Sequence, residues 1–529
     1  MTRLLAVAVA IAIAPCITSC ADVGDRVLGV LNGDANDGDL LQENGPLPLG
    51  VGELPERRTR LALADGLSYL RVERGMADPN DVYAVEVALL PDERAAEALR
   101  SALVARGEQA QVVVVDGHAP DDPKPGPMRY LVRAGAFAAR DQAEALRMRL
   151  LTAGHADARV VHTGEDGRAT TGPWIVHVLE LDPAQFAGTL QTELAGAHLG
   201  ALAPLADVAA RSGALAALGG GDFVRDPRDG IVGDPLGIVV RDGVLLSDAI
   251  QGRTSLVLPP GPGTRAVVAP VRNTLTASAE DGARRFLDGV NRTPGLVPEC
   301  GGDESDAPSE APAHGAVCTD ASELVLLTPA FGPESPEAAE LEAVLDAEGI
   351  VTALRDHPGP IPPDSRVLAA TGRAATWLRS HVPEGSRVTL DLAVEADGVA
   401  IMDGASVLRG GPRLVRTGRF AITARAEGFA SREDAGAYYR FGVQRRPRAL
   451  AGIDERGRLL LVVAEGEQPG RSLGLSLAES AQVMLSLGAR DALHLDDHAA
   501  ALVVGGEPVT PAGDEALTVG DALVLSGSR

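Results

Sequence analysis

Basic residues are scarce in this chain, and lysine is almost absent: Lys124 is the only one. Against 73 acidic residues stand 48 basic ones, a net charge of −25. Nucleic acid is thereby excluded as a partner, because its affinity rests on Lys and Arg neutralising phosphates. Docking on anionic lipid by charge alone is excluded for the same reason. An anionic substrate would need a local arginine cluster acting against the global field. Aromatics make up only 3% of the chain, where Ala, Gly, Val and Leu dominate. The preference for arginine over lysine is compositional and carries no function. Cysteines are few, at 16, 20, 300 and 318, and none has the CxxC spacing of a thiol metal site. The Asp/Asn cluster at 34–39 lacks the spacing and terminal Glu of a calcium loop. These absences leave no expected cofactor and no expected metal.

What is present suffices for two or three domains. The chain has 529 residues and 45% hydrophobic content, which excludes global disorder. Residues 1–20 read as an export signal: Arg3, then the eleven-residue apolar core Leu4–Ala14, too short to span a bilayer. The core ends in Ile17-Thr18-Ser19-Cys20, which resembles a bacterial lipobox and implies a diacylglycerol anchor on Cys20. The alternative is an ordinary signal peptide cut nearby, releasing a soluble exported protein. With Cys16 removed and Cys20 lipidated, Cys300 and Cys318 remain, and an oxidising compartment favours their pairing. From 21 to about 60 the chain is rich in Gly, Asp, Asn and Pro and reads as a solvated tether. The short run 61–79 contains an alternating strand, Leu67–Val72, with no partner nearby in sequence, so it is expected to join the sheet of the C-terminal domain.

An internal repeat follows. Tyr83 and Tyr130 open apolar strands, AEALR begins at Ala96 and Ala143, and glycines close helices at Gly107 and Gly154. Every offset is 47 residues, and the period switches from 2 to 3.6 and back, giving β-α-β twice. Residues 80–163, above all YLVRAGAFAARDQAEALRMRLLTAG, resemble a SPOR domain, a module that binds peptidoglycan glycan strands. The resemblance implies a glycan face with Tyr130, Arg133 and Phe137. The first half departs from it, with Ala88-Leu89-Leu90 in place of Gly-x-Phe. The plain alternative is a βαββαβ spacer that packs on its neighbour.

From 172 to 529, strand-like runs alternate with Gly, Asp and Pro turns, and helices are expected at 203–218, 279–290, 336–348 and 476–487 only. The fold class is therefore α+β with mostly antiparallel sheet. Four stretches resemble the phosphodiester glycosidase family: GALAALGGGDFV at 213–224, RGGPRLVRTGR at 409–419, YYRFGVQRRPRALAGIDERGRLLLVVAEG at 438–466 and LGARDALHLDDHAAALVVGG at 487–506. Cleaving a sugar-1-phosphodiester needs a carboxylate to attack or activate water, and arginines or N–H groups to hold phosphate. The resemblance assigns Asp496 as the carboxylate and Arg413 and Arg448 as phosphate clamps. It places Gly219, Gly220, Gly221, Gly410 and Gly411 at the substrate, with His494, Asp497 and His498 beside them.

Departures occur in all four motifs. Gly219, Arg409, Arg446 and His494 replace asparagines, and Asp496-Asp497-His498-Ala499-Ala500 replaces DGGGS. Asp497 puts a second negative charge beside the presumed anion site, which opposes phosphate binding. Two functions remain open: a surface hydrolase of sugar-1-phosphodiesters, or a glycan-binding protein that has lost turnover. Expected partners are cell-wall glycan or peptidoglycan, a phosphorylated sugar and, through lipid, the membrane.

Overall fold

The computed structural model describes Gly29 and residues 45–527, apart from 124–125, 127, 262, 303–307, 310–311, 431–434, 499 and 512–516. The export signal, Cys20, nearly all of the expected tether before residue 45 and Ala499 lie outside the described residues. From 45 to 60 the expected tether is instead packed down, with Leu47 and Leu49 buried and Glu56 opening a strand.

An eight-stranded antiparallel sheet organises the molecule. It opens with the hairpin β1 (Glu56–Ala64) and β2 (Leu67–Arg74), turned at Gly66 with a left-handed φ of 73°. The alternation in β2 buries both faces: Leu67 and Tyr69 enter one core, Leu70 and Val72 another. After β2 the chain leaves the sheet for β3 (Tyr83–Leu90), α1 (Glu93–Ala105), β4 (Ala110–Val115), β5 (Arg129–Phe137), α2 (Arg140–Thr152) and β6 (Arg159–His162). It returns as β7 (Trp174–Leu181), which pairs with β2 from Leu67↔Leu181 to Arg74↔Trp174. The two crossing segments run side by side. Met76 N–H donates to Thr171 C=O (2.9 Å), and Thr170 and Thr163 hydroxyls donate to Asp81 (2.7 and 3.2 Å).

Beyond β7 the sheet continues through Leu459–Ala464, Arg448–Asp454, Ala489–Asp496, Arg413–Arg416 and Arg419–Phe420. One face packs on a second sheet carrying Ala214–Gly219 and Asp521–Ser526. The other receives the helix Leu477–Ser486, started by a capping box between Ser476 and Glu479. Further sheets built on Val267–Ala279 and on Leu324–Leu327 enclose a third core. The fold is α+β and mainly antiparallel β.

Two of the four expected helices are strands and turns. Residues 279–290 end the strand Val267–Ala279 and turn at Gly282 (φ 90°) into Arg284–Phe286. Within 336–348 lies the wholly buried strand Leu341–Leu345, turned at Gly349 (φ 80°) into Val351–Arg355. Burial on both faces overrides the helical propensity of LEAVL. The helix expected at 203–218 covers Leu205–Ser212, stops at left-handed Gly213, and gives way to strand. Gly372–His381 is a helix the sequence reading did not include.

In the module, the 47-residue repeat is realised as two β-α-β halves in a sheet ordered β4-β5-β3-β6. Both helices cover one face. Val113, Val115 and Leu131 on the other face pack into the core of the large sheet, with Tyr438, Tyr439 and Phe441. Arg133 therefore faces the domain interface. It is buried between Glu86 (3.2 Å) and Asp166 (2.9 Å), and Tyr439 donates its hydroxyl to Glu86 (2.7 Å). Phe137 turns inward, its ring filling the space beside Gly135. Tyr130 also packs against the module core. The expected glycan face is thus divided: Arg133 seats the module on its neighbour, whereas Tyr130 and Phe137, partly buried, pack against the module's own core.

Cys300 and Cys318 form a disulfide with Cα atoms 5.9 Å apart, as their pairing after export requires.

Candidate active site

The strand Ala489–Asp496 carries the fourth motif along the centre of the large sheet and delivers Asp496, Asp497 and His498 at its end. Asp496 is 1% exposed and accepts from the His498 backbone N–H (2.9 Å). Burial first, then Asp222 and Asp497, raises its carboxyl to about 6. Asp222, one residue past the glycine run, reaches the same place. Ligand atoms of Asp222, Asp496 and His498 lie within 4.8 Å of one another. Arg225 approaches Asp496 to 3.9 Å. A cation could bridge the three ligand atoms, although neighbouring arginines already supply positive charge.

Asp497 turns to the other side. Its carboxylate meets Arg446 (3.1 Å), Arg448 (3.7 Å) and His498 Nδ1 (3.0 Å). Although burial opposes ionisation, these three cations hold the carboxyl well below the usual range. His498, partly exposed, is raised in turn: burial lowers it, but Asp497 outweighs that.

Arg448 has no exposed surface, and each guanidinium nitrogen has a protein partner. Nε donates to Leu475 C=O (3.0 Å), Nη1 faces His494 Nε2 (3.2 Å), and Nη2 donates to Phe441 C=O. Burial lowers it to about 10, so it stays charged at neutral pH. His494 is buried, and burial with the Arg448 charge pushes it down to about 3. As a neutral ring it donates from Nδ1 to Gly411 C=O (3.0 Å) and accepts at Nε2. His494 is therefore an internal orienter of Arg448, not a substrate contact.

The remaining expected residues serve the scaffold. Arg413 pairs with Asp491 (3.0 Å) and donates to Val268 C=O (3.1 Å). Asp491 lies five residues before Asp496 on one strand, roughly 16 Å at about 3.3 Å per residue. Arg413 consequently does not join the cluster. Gly410 and Gly411 allow close strand approach: a β-carbon at Gly410 would sit 2.6 Å from His494 O. At Gly220 it would lie 1.8 Å from Asp521 Oδ1, and at Gly221 2.5 Å from Arg409 Cγ. Arg409 pairs with buried Asp521 and donates to Gly221 C=O (2.6 Å) and Asp222 C=O (2.6 Å). Gly219, also buried, donates to Ala501 C=O (3.0 Å). The glycine run is a docking strip for the Arg409–Asp521 pair, and through it the strip positions Asp222.

Sequence reasoning missed Asp222 and Arg225, whose only signal was adjacency to the glycine run. It also missed His314, from the disulfide loop. His314 Nδ1 contacts Glu299 (3.1 Å), and the ring lies 4.8 Å from Phe429 and 5.2 Å from Phe441. Phe441 packs edge-on against His494 (5.3 Å).

A mainly antiparallel α+β domain here gathers acids, arginines and histidines from distant motifs into one cleft. Residues 339–526 match the phosphodiester glycosidase family (NAGPA), a span that holds three of the four motif stretches and leaves out 213–224. Over 91% of its length the chain is 31% identical to a protein of Burkholderia pseudomallei K96243 described as exported, covering 98% of it with a TM-score of 0.82. The chain belongs to the family of that protein and carries a phosphodiester glycosidase family domain. A hypothetical protein from Synechocystis shares the fold at 18% identity and a TM-score of 0.53, covering 94% of this chain and 84% of that one. No curated protein matches.

Proposed function

We propose that this exported protein binds glycan at the Asp222–Asp496–His498 cleft and no longer cleaves sugar-1-phosphodiesters. One observation carries this reading: Asp497 lies against Arg446 and Arg448, where a substrate phosphate would have to bind. A phosphate entering there would meet an ionised carboxylate and, in Arg448, a buried arginine each of whose nitrogens already has a protein partner, although Arg446 Nε makes no hydrogen bond among the described residues. Asp222 and His498, each partly exposed, remain to meet hydroxyl groups from solvent. The test is turnover of an α-N-acetylglucosamine-1-phosphodiester by the purified protein. None is expected above background; multiple turnover abolished by Asp496→Ala would overturn the reading.

A second reading rests on the carboxyl pair. Asp496, raised to about 6, stands beside Asp222, and a pair of neighbouring carboxyl groups can share acid and base roles. That reading requires turnover, so the same assay separates the two.

We also propose that Cys20 tethers the mature chain to the outer face of the membrane. Mass mapping of the mature N-terminus should find a diacylglyceryl cysteine at 20; an unmodified N-terminus elsewhere would exclude the tether.

A further inference from the structure

The loop that carries Asp222 to the cleft also forms one wall of a separate cavity of about 410 Å³. Val224 N–H donates to Asp234 C=O (2.9 Å) across the loop, which turns Asp234 toward this second space. Asp234 is 8% exposed, and among the described residues its carboxyl has neither a hydrogen bond nor an ion partner. Buried carboxyls are almost always satisfied, so one left open beside a cavity marks a place for a ligand atom. Asp248 and Asp288 line the same cavity. Arg292, which also lines the cavity, is already spent on Glu323 (2.5 and 2.8 Å) and on the Leu296 and Asp288 carbonyls. Asp248 accepts from Val290 N–H (2.8 Å), and Asp288 accepts from Leu324 N–H (2.7 Å) and has Arg285 at 3.8 Å, so the buried carboxyl left without a partner is Asp234, which disfavours phosphate and suits an ammonium.

Size and shape narrow the class further. The volume suits one or two small rings, within the ~300–1,000 Å³ of ligand sites. Phe286 stands at the rim with 68% of its surface exposed, in a chain where aromatics are rare. An aromatic face there can stack on the C–H face of a pyranose or hold a cation over its ring.

We infer that this cavity binds an amino sugar, a pyranose carrying a free ammonium, with Asp234 as the partner of that ammonium. The site is independent of the Asp222–Asp496–His498 cleft and stands whether or not that cleft turns over substrate.

The experiment is calorimetric titration of the purified protein with β-1,4-linked glucosamine tetramer and, separately, with its N-acetylated counterpart, at about 150 mM salt. The free-amine tetramer should bind at least about tenfold more tightly than the acetylated one. Asp234→Asn should lose at least about tenfold in affinity for the free amine while keeping or raising its unfolding midpoint. Three results overturn the proposal: no binding of the free amine, equal binding of the acetylated tetramer, or unchanged affinity in the Asp234→Asn variant. The last would also expose non-specific attraction to an acidic protein, since one charge in many would not alter it.

Discussion

The cleft and the cavity share one loop but treat buried carboxyls in opposite ways. In the cleft, Asp497 is surrounded by Arg446, Arg448 and His498, and Arg448 is in turn fixed by His494. In the cavity, Asp234 is almost as buried and has no partner among the described residues. The charge of Asp497 is offset by three protein cations even though its Oδ2 accepts no hydrogen bond among the described residues, and a ligand of the same sign would have to displace it. A buried carboxyl without partners costs stability for as long as the site is empty. The comparison teaches that cation count alone does not identify an anion site; the donors must also be free.

The contrast breaks most sharply at Asp497. Asp497→Ala removes the counter-charge from Arg448, which cannot reach water. Stripping one partner from a buried pair costs about 3–5 kcal/mol. Urea unfolding should show a loss of that order. A loss below about 1 kcal/mol would mean that the His494, Leu475 and Phe441 contacts satisfy Arg448 unaided, and Asp497 would no longer be its required partner.

Much of this architecture was legible in the sequence because it rests on local periodicity. The 47-residue repeat, the strand at Leu67–Val72 and the Cys300–Cys318 pair each follow from spacing or compartment, although that strand was expected half-buried and is covered on both faces. Asp497 was legible as a charge hostile to phosphate, from its identity alone. The rest depended on partners far away in sequence. LEAVL at 341–345 reads as helix until two neighbouring strands bury it. Arg413 sits in a motif, yet its strand register sends its guanidinium toward Asp491 rather than Asp496. Arg133 looks like a glycan contact until Glu86, Asp166 and Tyr439 close around it. Asp222 stood beside a conspicuous glycine run, which drew the assignment to itself.

The smaller effect lies at Asp234 and has the opposite sign. Its ordinary pKa is 3.8, and burial pushes it up to about 7. Below 3.8 both folded and unfolded chains hold the proton, and the group does not alter stability. Between 3.8 and 7 the unfolded chain releases the proton while the folded chain keeps it, so stability falls as pH rises. Above about 7 the loss is complete; a rise from 3.8 to about 7 bounds it at about 4 kcal/mol, which solvent in the adjoining cavity reduces to about 1–3 kcal/mol. Asp234→Asn removes the titration. The variant should therefore match the wild type near pH 4 and exceed it by about 1–3 kcal/mol at pH 8. Urea unfolding at the two pH values checks this, and a difference that does not vary with pH would show that Asp234 is solvated in the folded protein. Saturating glucosamine tetramer should restore stability to the wild type at pH 8 by binding the folded state, and should raise Asp234→Asn by at least about 1.4 kcal/mol less, the equivalent of a tenfold weaker affinity. An equal gain in both proteins would place the ligand elsewhere and dissolve the contrast between a closed cleft and an open cavity.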